Sequence, residues 1–422
     1  MMHAGTSILD ITPPLGTAMP GLFHERRAEF IHDPLHVRSF ALERSGTGIA
    51  VAVCDLIGVK RIYLDRAKEK IADTIGLAPS HVLICCTHTH TGAQTGDDAY
   101  TTFVIDRIAD SVRMAWENRQ AAQVGHGVGR EDRVVFNRRY RMKDGTVRTN
   151  PGVGNTEVVE AVGPVDPDVS VLCLREPHGR TMGLMANYAL HYVGGGDHQR
   201  AISADYFARF CELIQRLRGE RFVAALSNGA CADINNVDVL GGARPKNDKY
   251  QHSERVAAVV ATGAFWAWNE MDFADDAPLG AAMQEIRLKR RELHAEKDLA
   301  RAREIEGKTN KTMAERAFVR RIERMKNQPD EIQTWVQVLR VGDLALVGIP
   351  GEYFVALGLD IKKRSPFGQT LILELANDSV GYLPTQRAFE EGGYEPEASH
   401  FLPGVGEQIA ETALKLLTDV HE

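Results

Sequence analysis

SHVLICCTHTHTG, residues 80–92, governs how the rest of the chain is read. Val82 to Cys86 is an unbroken apolar run, the pattern of a short strand buried on both faces. It empties into two histidines two residues apart, fenced by threonines, and then a glycine. A polar strand end turned to water would account for the threonines. A metal site would account for the histidines as well, because imidazole is the commonest protein ligand for zinc at neutral pH. Residues i and i+2 of a strand leave on the same face, so His88 and His90 are expected to point together.

The segments around this stretch alternate between two periodicities. IAVAVCDLIGV (49–59) is another doubly buried strand. KRIYLDRAKEKIADTIG (60–76) has helical spacing, with Ile62, Ala67, Ile71 and Ile75 as the apolar positions and Gly76 as the stop. TTFVIDRIADSVRMAWENR (101–119) is a second amphipathic helix, with Val104, Ile108, Val112 and Trp116 on one stripe. AAQVGHGVGR, DVSVLCLRE, TMGLMANYALH and RFVAALSNG follow as strands, and ADYFARFCELIQRLRG (204–219) as a helix. WVQVLRVGDLALVGIP (335–350) reads as a hairpin turning at Val341–Asp343, LILELAN as a strand and GVGEQIAETALKLLTDV as a closing helix. Strands alternating with helices predict an α/β layered core. No repeat, low-complexity linker or domain boundary interrupts the pattern, which predicts one domain over 1–422 with residues 283–330 as a helical insertion.

Composition narrows the function. With 44% hydrophobic residues over 422 positions, the chain can bury a sizeable core. The net charge is −7, and the basic stretch RLKRRELHAEKDLARAR (287–303) is interleaved with acids, so it reads as a solvated helix face and not as a nucleic-acid site. The start, MMHAGTSILDITPPLG, lacks the charged and apolar regions of a signal peptide, and no run approaches the roughly 18 apolar residues of a membrane span. The expectation is a cytoplasmic protein with a small-molecule substrate and no stable membrane association; a homo-oligomer is compatible with it. The six cysteines form no CxxC pair, and Cys85 and Cys86 face opposite ways on a strand, so reduced buried thiols are expected.

Polar clusters gather where predicted strands end, the usual place for α/β active sites. They are THTHTG (87–92), NRRY (137–140), LHYVGGGDH (190–198), SNGACADINN (227–236), PGEYF (350–354) and NDSVGYLPTQ (377–386). A lone His–x–His is shared with amidohydrolases and metallo-β-lactamases. The HxHxDH continuation of the latter is excluded, because Thr91 and Gly92 follow His90. His191 closes an apolar run, where a hydrogen-bonded core histidine is the plainer alternative. Glu352 sits at the mouth of a buried strand, where a carboxylate is costly unless paired, hydrogen-bonded or bound to metal; a first-turn glutamate favoured by a helix dipole is the alternative. The three histidines and one glutamate make a stronger case jointly than singly.

Taken in order, AGTSILDITPPLGTAMPG, THTHTG, NRR, HYVGG, ISAD, ADINN, PGEYF and the region around Tyr382 resemble the neutral/alkaline ceramidase family, from about Ala4 to about Tyr394. These are zinc-dependent amidases that split the N-acyl bond of ceramide. The resemblance implies a layered mixed β-sheet core flanked by helices. It implies a Zn²⁺ site of His88, His191, Glu352 and Tyr382, with His90 as a catalytic residue beside the metal. Arg138 and Tyr394 match further active-site positions. His198 is placed to donate a hydrogen bond, Arg138 to meet a substrate carboxylate or developing oxyanion, and Asp205 and Asp233 to orient histidines. Asp55 is either a third such residue or a solvated strand end.

Three departures accompany the resemblance. Asn235 stands where the family has a catalytic serine, and Asn236 where it has a proline. The family's C-terminal immunoglobulin-like domain and its secretion signal have no counterpart in the sequence. The expected chemistry is attack by metal-activated water on an amide or ester of a small polar metabolite, with Asn235 as a polar pocket residue. Lactone or glycoside hydrolysis or a lyase reaction, using pocket carboxylates such as Glu391 or Glu395, is an alternative. So are a ceramidase proper and a non-catalytic zinc-binding protein.

Overall fold

In the computed structural model the described residues are 1–422 apart from 195–199, 218, 220–221, 242–248, 293–294 and 326–327. Strand alternation builds the core. In Thr47–Cys54, Ile49, Val51 and Val53 enter one apolar cluster while Ala50, Ala52 and Cys54 enter another. Val82–Cys86 divides the same way, so Cys85 and Cys86 lie in different clusters, as opposite strand faces require. All six cysteines are buried and none is in a disulfide.

Three larger sheets are formed, and each is antiparallel except for one parallel pair at an edge. In the first sheet the parallel pair is Thr47–Cys54 with Val82–Cys86. In the second it is Thr181–Tyr188 with Val223–Asn228, and in the third Leu344–Gly348 with Gln369–Leu373. The inner faces share one core, to which Phe40, Val51 and Leu83 come from the first sheet, Leu172, Met185 and Ala225 from the second, and Leu339, Leu346 and Leu371 from the third. Helices cover the outer faces: Arg61–Ile75 and Ala99–Glu117 on the first sheet, Asp205–Arg216 and Lys249–Glu270 on the second, Val355–Arg364 and Val405–His421 on the third. The α/β layered core of mixed sheets flanked by helices is therefore present.

Two local expectations are corrected. Ile62 is 64% exposed; the buried stripe of its helix runs through Tyr63, Leu64, Ala67, Lys68 and Ile71. Residues 283–289 are not helical. They belong to Leu279–Lys289, a strand paired antiparallel along its length with Glu331–Val341. The helices of that region, Ala295–Glu306 and Met313–Met325, are shorter than expected and pack on each other through Ala302, Ile305, Phe318 and Ile322.

Two strands, Met2–Asp10 and His36–Arg44, went unread because polar residues interrupt them. Those residues are satisfied internally. Ser7 and Ser39 both bond to Ser111, and Arg38 meets Asp55 at 2.6 Å. Asp55 is thus neither a solvated strand end nor a partner of His88, His90 or His191. It is fully buried and also accepts the His36 amide.

Candidate metal centre

The parallel pairs of all three sheets send their carboxyl ends to one place. His88 follows Val82–Cys86, His191 follows Thr181–Tyr188, Glu352 follows Leu344–Gly348 and Tyr382 follows Gln369–Leu373. Glu352 and Tyr382 are then held side by side by a short parallel pairing.

His88 and His90 converge for a reason other than the pleat of a strand. The strand stops at Cys86, and His88 takes a left-handed backbone with φ 65°, a strained setting for a non-glycine residue that is characteristic of functional sites. Backbone bonds from Thr87 to the Cys54 carbonyl and from His88 to the Leu56 carbonyl hold the turn. Nδ1 of His88 donates to the Ile57 carbonyl at 2.7 Å, and Nδ1 of His90 to the Gly21 carbonyl at 3.0 Å. Each neutral ring therefore carries its proton on Nδ1 and turns the Nε2 lone pair inward.

Nε2 of His90 stands 3.3 Å from Nε2 of His88 and 3.0 Å from Nε2 of His191. Glu352 Oε2 is 3.4 Å from His88 Nε2, buried, and without a hydrogen-bond partner. The Nε2 lone pairs of His88 and His90 and the Glu352 carboxylate oxygen repel across such distances unless a cation or a proton lies among them; His191, whose Nδ1 accepts from the donor-only Arg138 guanidinium, carries its proton on Nε2 toward His90. Zn–N bonds of about 2.0–2.1 Å put tetrahedral ligands roughly 3.3–3.4 Å apart, close to these separations. The donor set of imidazole nitrogens and carboxylate oxygen suits zinc, and the backbone carbonyls behind His88 and His90 are the usual outer partners of metal-binding histidines. His88, His90 and His191 can place one nitrogen each within 4.8 Å of one another.

The electrostatics agree. Burial and the neighbouring positive groups hold His90 and His191 neutral, well below the ordinary histidine range. Burial also opposes charge on His88, but Glu352 outweighs it and the histidine is raised. Glu352 is lowered despite its burial, because His88 lies beside it. Burial next to Glu352 pushes Tyr382 well up.

The chain resembles solved structures over almost its entire length. It superposes on neutral ceramidase from Pseudomonas aeruginosa with a TM-score of 0.78 at 15% identity, covering 99% of this chain and 74% of that one. A ceramidase complexed with C2 gives 0.76 at 15% identity with the same coverage. This is a neutral-ceramidase-like fold. No protein-family model and no curated protein matches the sequence.

Within the neutral-ceramidase-like fold, several expected site residues have other partners. Arg138 does not present a free fork to a ligand. Nε donates to Glu395 at 2.7 Å, Nη2 to the Tyr382 hydroxyl at 3.1 Å, and Nη1 faces His191 Nδ1 at 3.2 Å. Asp205 touches no histidine; it accepts from Thr89 Oγ1 at 3.0 Å, and burial raises its carboxyl to about 7. Asp233 accepts from Asn137 and from the Val355 amide, again without a histidine. Asn235 donates to Asn150 and accepts the Val237 amide. Tyr394 packs edge-on against Tyr382 with centroids 5.4 Å apart. Glu395 is fully buried between Arg138, Arg139 and Thr149, and Glu391 is paired with Arg139, Arg141 and Arg387. His198 lies outside the described residues.

Some of the centre went unread in the sequence. Gly21 supplies the carbonyl behind His90, and Arg26 donates to the His90 carbonyl at 2.7 Å. A Cβ on Gly21 would sit 2.7 Å from His90 Nδ1. Phe23 then closes on Tyr394 at 5.9 Å. The only local signal was the Pro20–Gly21 pair inside the N-terminal motif.

Proposed function

We propose that this protein is a zinc-dependent hydrolase that cleaves an amide or ester bond in a small, polar, water-soluble metabolite. The observation that carries this reading is the convergence of three imidazole Nε2 atoms and the buried Glu352 Oε2 at one point. The likeness to two ceramidases at 15% identity adds the expectation of hydrolytic chemistry. In our assignment His88, His191, Glu352 and Tyr382 hold the metal. Zinc so held supplies Lewis acidity and makes water nucleophilic near neutral pH.

The remaining roles belong to the chain. His90 keeps its Nε2 lone pair toward the centre and accepts a proton there, its tautomer fixed by the Gly21 carbonyl. Arg138 positions Tyr382 and His191, neutralised by Glu395. Tyr394 is placed beside Tyr382 to donate a hydrogen bond to the substrate carbonyl. Asn235 does not attack, because both ends of its amide are engaged and an amide is no nucleophile. The alternatives that need a second acid–base carboxylate are disfavoured by the ion pairing of Glu391 and Glu395.

The deciding experiment is elemental analysis of the purified protein joined to a substrate panel of small polar amides, esters, lactones and glycosides, run beside short-chain fluorescent ceramide. About one zinc per chain and turnover of a polar amide or ester are expected. Ceramide turnover well above every polar candidate would return the protein to lipid chemistry.

A further inference from the structure

The helices Ala295–Glu306 and Met313–Met325 lie beside the Tyr394–Ala398 segment. Arg321 ties them to the Tyr394–Ala398 segment, with Nε donating to the Glu397 carbonyl at 2.9 Å and a side-chain contact to Glu397 at 3.5 Å. One helical turn presents Arg320 toward the N-terminal loop. Its guanidinium lies 4.5 Å over the Phe23 ring, and Nη1 reaches the Leu22 carbonyl at 3.4 Å. Phe23 leans on Tyr394, which leans on Tyr382. Arg320 is therefore two aromatic rings from the metal-site tyrosine.

Arg320 differs from three arginines near the centre that are ion-paired. Arg138 has Glu395, Arg139 has Glu391 and Arg321 has Glu397. Arg320 is half-buried, yet among the described residues no carboxylate pairs with it. Near it on its own helix are Arg316, Arg324 and Glu323, two cations and one acid. Arg316 and Arg324 lie four residues to either side and share its helix face. The excess positive charge extends inward. His400, whose ring lies near Gly381, is held down to about 4 by burial and by Arg324, Arg290 and Arg321. Stacking on Phe23 offsets only part of the cost of partly burying an unpaired guanidinium.

We propose that Arg320 binds an anionic group of the substrate, a carboxylate or phosphate at the end remote from the cleaved bond. The word substrate rests on the hydrolase reading above; the anion site rests on Arg320 alone, and its test takes the metal only as the second anchor of the probe. Guanidinium pairs with oxyacid groups through charge-assisted hydrogen bonds, about twice as strong as neutral ones. A ligand of this kind completes the ion pair that the fold leaves open, and it selects against an uncharged lipid amide.

The test uses α,ω-dicarboxylates of roughly four to eight carbons and the monocarboxylates of equal length as probes of the zinc-loaded protein, by calorimetry. One carboxylate takes the metal end and the other spans to Arg320. At the best length the dicarboxylate should bind about tenfold tighter than its monocarboxylate, and salt should erode that advantage. Arg320→Gln should bring the ratio close to one, Arg320→Lys should keep part of it, and Arg324→Gln should lower it less. No dicarboxylate advantage at any length, or an advantage that survives Arg320→Gln, overturns the proposal. A dicarboxylate advantage without turnover of any amide or ester would sink the hydrolase reading alone; turnover without that advantage would sink the anion site alone.

Discussion

His88 shows at the scale of one residue how this centre is made. A left-handed backbone at a histidine costs on the order of 1–3 kcal/mol and persists only where its surroundings impose it. Here the imposition comes from two backbone hydrogen bonds and the Ile57 carbonyl. Replacing His88, His191 or Glu352 by Ala should strip zinc and abolish activity; full zinc occupancy in purified His191→Ala would refute the ligand set. His90 is expected to behave differently. The proposed ligands His88, His191, Glu352 and Tyr382 fill a zinc shell of about four and leave His90 for proton work. His90→Ala should keep zinc and lose about 10²–10⁴ in rate. Zinc loss as complete as in His88→Ala would make His90 a ligand and leave the proton transfer to another group.

Single elements matter through what they carry toward the centre. The segment around Gly21 approaches His90 so closely that only glycine fits, at φ 96°. Gly21→Ala combines backbone strain of about 1–3 kcal/mol with a methyl group against the imidazole. We expect a lower melting temperature and a fall in turnover with zinc retained; unchanged turnover would show that the loop does not hold His90. The helix Arg61–Ile75 carries a different tension. Lys68 Nζ is buried with no hydrogen-bond partner, and burial lowers its pKa to about 7. The unfolded chain keeps the proton up to about pH 10.4, so stability is lowest at and below pH 7 and climbs as pH rises from 7 to 10. Lys68→Met should raise stability by about 1–3 kcal/mol near pH 7, with the gain shrinking toward pH 10 in thermal melts. A gain that is flat with pH would mean the amine is not the source.

At the scale of the whole molecule, three sheets around one core deliver four side chains to one point, each from the carboxyl end of a strand in a parallel pair. Among the described residues no helix is long and apolar enough to cross a membrane. The anion site proposed at Arg320 would favour a charged small molecule over an acyl chain, which needs about 0.8 kcal/mol of apolar contact per CH₂. In the substrate panel we therefore expect amides and esters bearing a carboxylate or phosphate to exceed their neutral counterparts in kcat/KM. A uniform preference for the neutral members would contradict this.

Much of this was written locally. The doubly buried strands, the opposed faces of Cys85 and Cys86, and the polar clusters at strand ends are legible because apolar periodicity reports burial residue by residue. His88, His90, His191, Glu352 and Tyr382 could be named one at a time. Their meeting could not be derived from spacing, because it depends on how three sheets pair and on a left-handed turn at His88. The strand at 283–289 was missed because its alternation is masked by charge, and the pairing with Glu331–Val341 overrides the helical appearance. Partnerships across long sequence separations were decided only by the tertiary structure. Arg138 looked free for a ligand until Glu395 closed on it, and nothing in the sequence singled out Arg320, which the fold sets over Phe23. Sequence patterns record which residues are buried; which charge meets which is settled by packing.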